Sequence, residues 1–237
     1  MSWITGALVG FDLETTGTDV EEDRIVTAAV VRLGRDGTVS EKMIWLLDPG
    51  VEIPEPAAEI HGITTEYARS NGAPAAAAIE EITQAVADVL RSVTPLVVMN
   101  ARYDLTLLDR ECQRYAVESL EERLKMTPSP VIDPLVLDKH VDRYRKGTRA
   151  LHALCAHYGV QLDDAHNASA DAVAAACVAR RIGEAYASVG AMRPAEVHTL
   201  QTRAAAEQSI SLQKHLRKTS NPSAVVELAW PVVPRKD

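Results

Sequence analysis

Ala7-Leu8-Val9-Gly10-Phe11-Asp12-Leu13-Glu14-Thr15-Thr16-Gly17 begins as an apolar run and ends in two carboxylates and a polar break. The uncharged, mostly apolar residues before Asp12 predict a buried strand. Two positions apart on that strand, Asp12 and Glu14 share one face. Leu13 points to the opposite face, or lies over the site where the strand frays. Carboxylates stand here where a buried strand normally carries Val or Ile, so something must compensate their charge.

Outward from this segment, the pattern is first extended and then helical. Ile25 to Leu33 is rich in β-branched residues and reads as a second strand. Gly34-Arg35-Asp36-Gly37 is turn chemistry, and Val39 to Leu47 is a third strand. Short turns between the three predict an antiparallel meander. A Pro-rich connection over 48–56 follows. Ile79, Ile82, Val86 and Val89 recur at helical steps and predict a helix over 74–92, with Pro74 in its first turn. Leu96 to Met99 is a buried strand ending at Asn100, and 103–115 is a helix. A short extended piece spans 128–133. Helices follow near 134–144, from Leu151 to Gly159, over 170–187 and over 193–218. Strands followed by alternating strands and helices predict an α/β fold, a mixed five-stranded sheet covered by helices. The compact domain is expected to occupy residues 1–190, with 191–237 as a C-terminal helical extension and tail.

Two further segments bring acidic residues toward buried sequence. Asp104 follows the strand at 96–99, in the first turn of the next helix, where a helix dipole also favours an acid. Asn100 caps that helix or ties the turn to the neighbouring strand. His166 and Asp171 stand five apart. On one helix that spacing turns through about 500°, so the two would not share a face. His166 on a loop and Asp171 on the helix after it can approach one point. Asp12, Glu14, Asp104 and Asp171 cannot all stay ionised together in a buried site without a cation. A divalent metal and a mobile His point to phosphodiester hydrolysis.

Composition bounds the partners. Over 237 residues the chain is 46% hydrophobic and 24% charged, enough to bury a core without disulfides. Cys112, Cys155 and Cys177 form no C-x-x-C pair and read as reduced, buried apolar residues of a cytoplasmic protein. No basic start leads into an apolar stretch, and no run approaches 18 apolar residues, so neither secretion nor a membrane partner is expected. A net charge of −8 opposes a tight duplex binder that covers many phosphates, but not an enzyme gripping one strand end. Lys139, Arg143, Arg145, Lys146 and Arg149 fall within eleven positions, as a solvated helix edge or a phosphate track. From 201 onward six Lys/Arg face three Asp/Glu. This basic segment is an oligomer arm, as in a homodimer, or a nucleic-acid contact.

Phe11-Asp12-Leu13-Glu14-Thr15-Thr16-Gly17, Ile60-His61-Gly62-Ile63-Thr64, Asn100-Ala101-Arg102-Tyr103-Asp104 and His166 with Asp171 together resemble the DEDD exonuclease superfamily. The His-x4-Asp spacing resembles its histidine subclass, which includes the proofreading epsilon subunit of bacterial DNA polymerase III. The tyrosine subclass has Tyr four residues before its last Asp; Asn167 stands there. The resemblance covers about residues 5–188. It implies a ribonuclease H-like sheet and two-metal 3′→5′ hydrolysis, with Asp12, Glu14, Asp104 and Asp171 holding two Mg²⁺ or Mn²⁺. By the same resemblance His166 is the general base. Thr15 and Thr16 meet the terminal 3′-hydroxyl and sugar, Leu13 wedges beside the last base, and His61 approaches the substrate. Tyr103 stacks on a base or packs at the helix start. Met99 stands where relatives often carry His.

The resemblance implies single-stranded or frayed DNA 3′ ends as substrate and nucleoside monophosphates as product. An exoribonuclease or oligonucleotide trimmer carries the same motifs. So would an inert nucleic-acid-binding module, although such a module would be expected to have lost a carboxylate, and an unrelated phosphohydrolase could use the same acids. The segment beyond 190 matches no polymerase-binding module, so a polymerase partner is not expected.

Overall fold

The computed structural model describes residues 1–163 and 165–235. In chain order the elements are β1 (Leu8–Thr15), β2 (Ile25–Leu33), β3 (Val39–Asp48), α1 (Glu55–His61), α2 (Thr65–Asn71), β4 (Ala73–Pro74), α3 (Ala75–Arg91), β5 (Leu96–Val97) and α4 (Ala101–Arg114). They continue with α5 (Leu120–Leu124), β6 (Val131–Ile132), α6 (Pro134–Val141), α7 (Leu151–Tyr158), α8 (Ala168–Ala185), α9 (Ala187–Gly190) and α10 (Pro194–Thr219).

The sheet is mixed, in the order β4-β3-β2-β1-β5-β6. The β1–β2–β3 meander is antiparallel, as its short turns predict, and β5 and β6 add in parallel beside β1. Six strands replace the expected five. The additional one, Ala73–Pro74, runs parallel to the end of β3 at an edge, and so Pro74 pairs in the sheet instead of sitting in the first turn of α3. An edge strand tolerates a proline because one row of its backbone groups needs no partner.

Side-chain alternation along β1 divides the core. Val9, Phe11 and Leu13 enter a cluster with α3 and α4, whereas Leu8 joins α8 on the other face. Gly10 shares the α8 side. A Cβ there would lie 2.1 Å from the Ala172 carbonyl oxygen, so α8 crosses β1 at backbone contact. The buried face of α8 is built largely of alanines, which lets a long helix lie that close.

Residues beyond 190 are packed into the body. Val197 joins the α8 cluster; Ala204, Ala205 and Trp230 join the other. The tail runs back over α4: the Val233 amide donates to Thr106 Oγ1 (3.0 Å), and Arg102 Nε donates to the Ala229 carbonyl (2.8 Å).

Candidate active site

The end of β1 presents Asp12 and Glu14 toward α8 because the strand alternates. Asp171 meets them because Ala172, its neighbour, rests on Gly10. Asn167 caps α8 by accepting from the Ser169 amide (3.1 Å), which sets the helix start and leaves Asp171 in its first turn. One carboxylate oxygen from each of Asp12, Glu14 and Asp171 lies within 4.8 Å of the others. Asp104 is not in this tight group. It is buried in the first turn of α4, close enough for its charge to act on Asp12.

The electrostatics are those of a site short of positive charge. Burial raises Asp12 well above the ordinary carboxylate range, and the charges of Asp104, Glu14 and Asp171 raise it further. Burial, with Asp171, pushes Glu14 up to about 7. Asp104 is likewise raised by burial, although the backbone at Asp104 and Leu13 opposes the shift. Burial raises Asp171, and the His166 amide, donating to its Oδ2 (3.2 Å), opposes that. Asp171 Oδ1 is buried without a hydrogen-bond partner. An orphaned acceptor among mutually repelling carboxylates is the donor set that a hard divalent cation satisfies. Asp12, Glu14 and Asp171 fit such an ion, with Asp104 beside them.

The other residues singled out in the sequence divide into those facing the site and those occupied elsewhere. His166 lies on an exposed loop, in the left-handed region (φ 68°), with its amide bonded to Asp171 and its charge acting on that carboxylate. His61 ends α1; its Nδ1 accepts from the Ile63 amide, and its buried Nε2 has no partner. Burial lowers its pKa, an effect the Thr15 backbone opposes. That interaction places the ring at the end of β1. Thr15 Oγ1, Tyr103 Oη and the Gly17 carbonyl oxygen lie in mutual hydrogen-bond range (2.8, 2.5 and 2.6 Å), with two hydroxyl protons shared among the three contacts. Tyr103 packs partly buried against the α3/α4 cluster, and burial pushes its phenol up to about 12.

Two placements differ from expectation. Leu13 is 7% exposed and sits in the α3/α4 cluster, where strand alternation sends it. Thr16 is buried, its hydroxyl donating to Asp23 Oδ1 (2.7 Å) and accepting from the Arg24 amide (2.9 Å). It closes the turn instead of offering a free group to a sugar. Asn100 is exposed at the start of α4 with no side-chain capping bond; its backbone amide, not its side chain, ties the turn to the neighbouring strand through Asp133. In the basic cluster, Arg145 and Arg149 pair with buried Asp138 (2.7 and 2.6 Å), which also accepts from Tyr158. Those two are structural, whereas Arg143 lies beside the exposed ring of Tyr144.

Sequence reasoning missed Asp133, a buried carboxylate that accepts from the amides of Asn100 and Ala101. Its signal was local: Asp before Pro at a helix start is an N-cap pattern.

With this geometry in place, comparison with known proteins decides the family. A model of the RNase_T exonuclease family matches residues 9–179. The chain belongs to this exonuclease family. The DEDD resemblance and the exonuclease class that it implied are thereby borne out. The PolC-type DNA polymerase III of Lacticaseibacillus paracasei is 28% identical over 166 residues, 70% of this chain and 10% of that protein. The DNA polymerase III epsilon subunit of Aquifex aeolicus is 41% identical over 61 residues, 26% of this chain and 30% of that one. The chain thus spans a tenth of the length of the polymerase and under a third of the epsilon subunit. Among solved structures, the zinc-bound complex of E. coli exonuclease I with single-stranded DNA has a TM-score of 0.65 at 21% identity, covering 78% of this chain and 42% of that one. Exonuclease I of Methylocaldum szegediense has a TM-score of 0.61 at 22% identity, covering 88% and 45%. These likenesses show the ribonuclease H-like exonuclease fold. No helix among the described residues is long and apolar enough to cross a membrane.

Proposed function

We propose that the protein is a divalent-metal-dependent 3′→5′ exonuclease that releases nucleoside monophosphates from single-stranded or frayed DNA ends. The observation that carries this reading is the meeting of Asp12, Glu14 and Asp171 within 4.8 Å, beside buried Asp104, in an exonuclease-family chain. These four residues would hold Mg²⁺ or Mn²⁺. When bound, the ions supply charge neutralisation for the phosphodiester and acidify a water. The remaining chemistry belongs to the chain. His166, exposed on its loop, takes the proton of the attacking water. The loop anchors to Asp171 through its backbone amide, which leaves the imidazole free to move while its base stays at the site. His61, whose ring lies against the Thr15 backbone at the end of β1, and Asn100, exposed at the start of α4, are placed to contact the terminal nucleotide. Thr15 and Tyr103 act as a bonded pair that shapes the rim.

DNA is favoured over RNA by the relatives: several of the structural neighbours are complexes of exonuclease I with DNA oligonucleotides, and the sequence relatives are DNA polymerases. RNA trimming is the second reading, favoured by the RNase_T family that the chain matches. A polymerase partner and a homodimer form no part of the proposal. The test is end-labelled single-stranded DNA, duplex DNA and RNA, each with Mg²⁺, Mn²⁺ or chelator. Stepwise metal-dependent loss from the 3′ end, fastest on single-stranded DNA, is expected. Shortening from the 5′ end, or full activity in chelator, would refute the reading.

A further inference from the structure

Five donors converge on a carboxylate outside the catalytic cluster. Asp133, 1% exposed, stands between β6 and α6. Its Oδ1 accepts from the amides of Leu135 (2.9 Å) and Val136 (3.4 Å), which is ordinary capping of α6. The other three donors come from distant segments. The Asn100 amide donates to Oδ1 (3.1 Å), the Ala101 amide to Oδ2 (3.0 Å), and Trp230 Nε1 to Oδ2 (3.4 Å).

Asn100 and Ala101 are the turn at which the β5 strand passes into α4. Asn100 is left-handed there (φ 63°), a conformation asparagine adopts more readily than most residues with a side chain. Its own side chain makes no capping bond, so the grip on this turn is that of Asp133. Asp104 follows three residues after Ala101. Asp133 is itself fixed from behind: its amide donates to Oε1 of fully buried Gln201 on α10 (2.7 Å), and Gln201 Nε2 donates to the Val131 carbonyl (3.0 Å).

We propose that Asp133, braced by Gln201 of α10 and Trp230 of the tail, is a positioning residue for Asp104. By clamping two consecutive amides at the start of α4, it sets how far Asp104 reaches toward Asp12. The C-terminal segment thereby takes part in building the site without touching it. The proposal rests on the metal-dependent reading above. Partners that orient a ligand from outside the coordination sphere are typically worth 10–100-fold in metal affinity.

The experiment compares the full chain with Trp230→Phe, which keeps an aromatic ring and removes the donor, and with Asp133→Asn, which places a donor against facing amides. Thermal melting reports folding, amide hydrogen exchange reports residues 98–106, and Mn²⁺ titration followed by electron paramagnetic resonance reports the site. Steady-state cleavage of a 3′-labelled DNA oligonucleotide separates kcat from KM. Trp230→Phe should melt near the wild type, exchange faster at 98–106, bind Mn²⁺ severalfold more weakly and lose kcat with KM unchanged. Asp133→Asn should weaken Mn²⁺ about tenfold or more. Folded variants with wild-type exchange and wild-type Mn²⁺ affinity would overturn the proposal alone. A wild-type chain that binds no Mn²⁺ would bring down the metal-dependent reading and this proposal with it. Should Asp133→Asn not fold, Trp230→Phe decides.

Discussion

Glu14 shows at the scale of one residue how the site trades stability for chemistry. Its carboxyl is pushed from 4.5 to about 7, while the unfolded chain keeps the ordinary value. Between those two values the folded protein holds a proton that the unfolded chain has released, so stability falls as pH rises through the window and levels off above it. Asp12 and Asp104, also raised, act in the same direction from lower pH. The metal-free protein should therefore lose melting temperature between pH about 5 and about 7, and Glu14→Gln should flatten that slope. Calorimetry in chelator checks both; a wild-type slope no steeper downward than that of Glu14→Gln would contradict the site electrostatics. Saturating Mn²⁺ should reverse the loss, by about 2.7 kcal/mol at a hundredfold excess over Kd. His166 has a different signature. Among the described residues its amide, not its imidazole, hydrogen-bonds Asp171, while its charge acts on that carboxylate from the loop. His166→Ala should keep Mn²⁺ affinity while slowing cleavage by about 10²–10⁴-fold, as expected for a lost general base. Single-turnover kinetics beside Mn²⁺ titration separates the two, and a normal rate would remove His166 from the proposed mechanism.

At the scale of elements, the approach of α8 to β1 decides whether a site exists. Nothing but a hydrogen fits on Gly10, because the Ala172 carbonyl occupies the space. Gly10→Ala should push α8 away, costing about 1–3 kcal/mol as an overpacked contact. Asp171, next to Ala172, should move with it and weaken Mn²⁺ binding. Wild-type melting and wild-type Mn²⁺ affinity together would show that the contact is softer than its geometry indicates. Much of this arrangement was legible in the chain. Period-two alternation put Asp12 and Glu14 on one face, β-branched runs marked β2 and β3, and the His166–Asp171 spacing required a loop followed by a helix. Leu13 shows where the reading ran out: the same alternation offers two fates, and only packing against α3 and α4 selects the buried one. The helices α1, α2 and α5, each of seven residues or fewer, are too short to show a hydrophobic period, so the sequence does not mark them. The capping role of Asp133 is legible in Asp-Pro, but its hold on Asn100 and Trp230 is not, because only the folded chain brings those segments to it.

At the scale of the whole molecule, the question is what residues 191–237 do for the rest. Gly190 follows the long Ala-rich helix, and that punctuation is what suggests a boundary at 190 in the sequence. The contacts across that boundary are those of a core. β6 is the outer strand of its side of the sheet, and an uncovered edge is exposed to pairing with other chains. On α10, His198 Nδ1 accepts from the Val131 amide (3.2 Å), and Gln201 bonds both the Val131 carbonyl and the Asp133 amide. Side chains of α10 thus take the place of a neighbouring strand. Trp230 fills the cluster beneath α4, and Arg110 binds the carbonyls of Val233 and Pro234 (3.1 and 3.2 Å). A chain ending at 190 would lose a buried tryptophan, worth about 3–5 kcal/mol on the scale of large core truncations, and would bare β6 as well. That is a large part of the stability of an ordinary domain. Such a truncation should melt far below the full chain and self-associate, as thermal melting and size exclusion would show. A monomeric truncation with near wild-type melting would mean that the contacts of α10 and the tail are energetically neutral, and the bracing of Asp133 from behind would lose its physical basis.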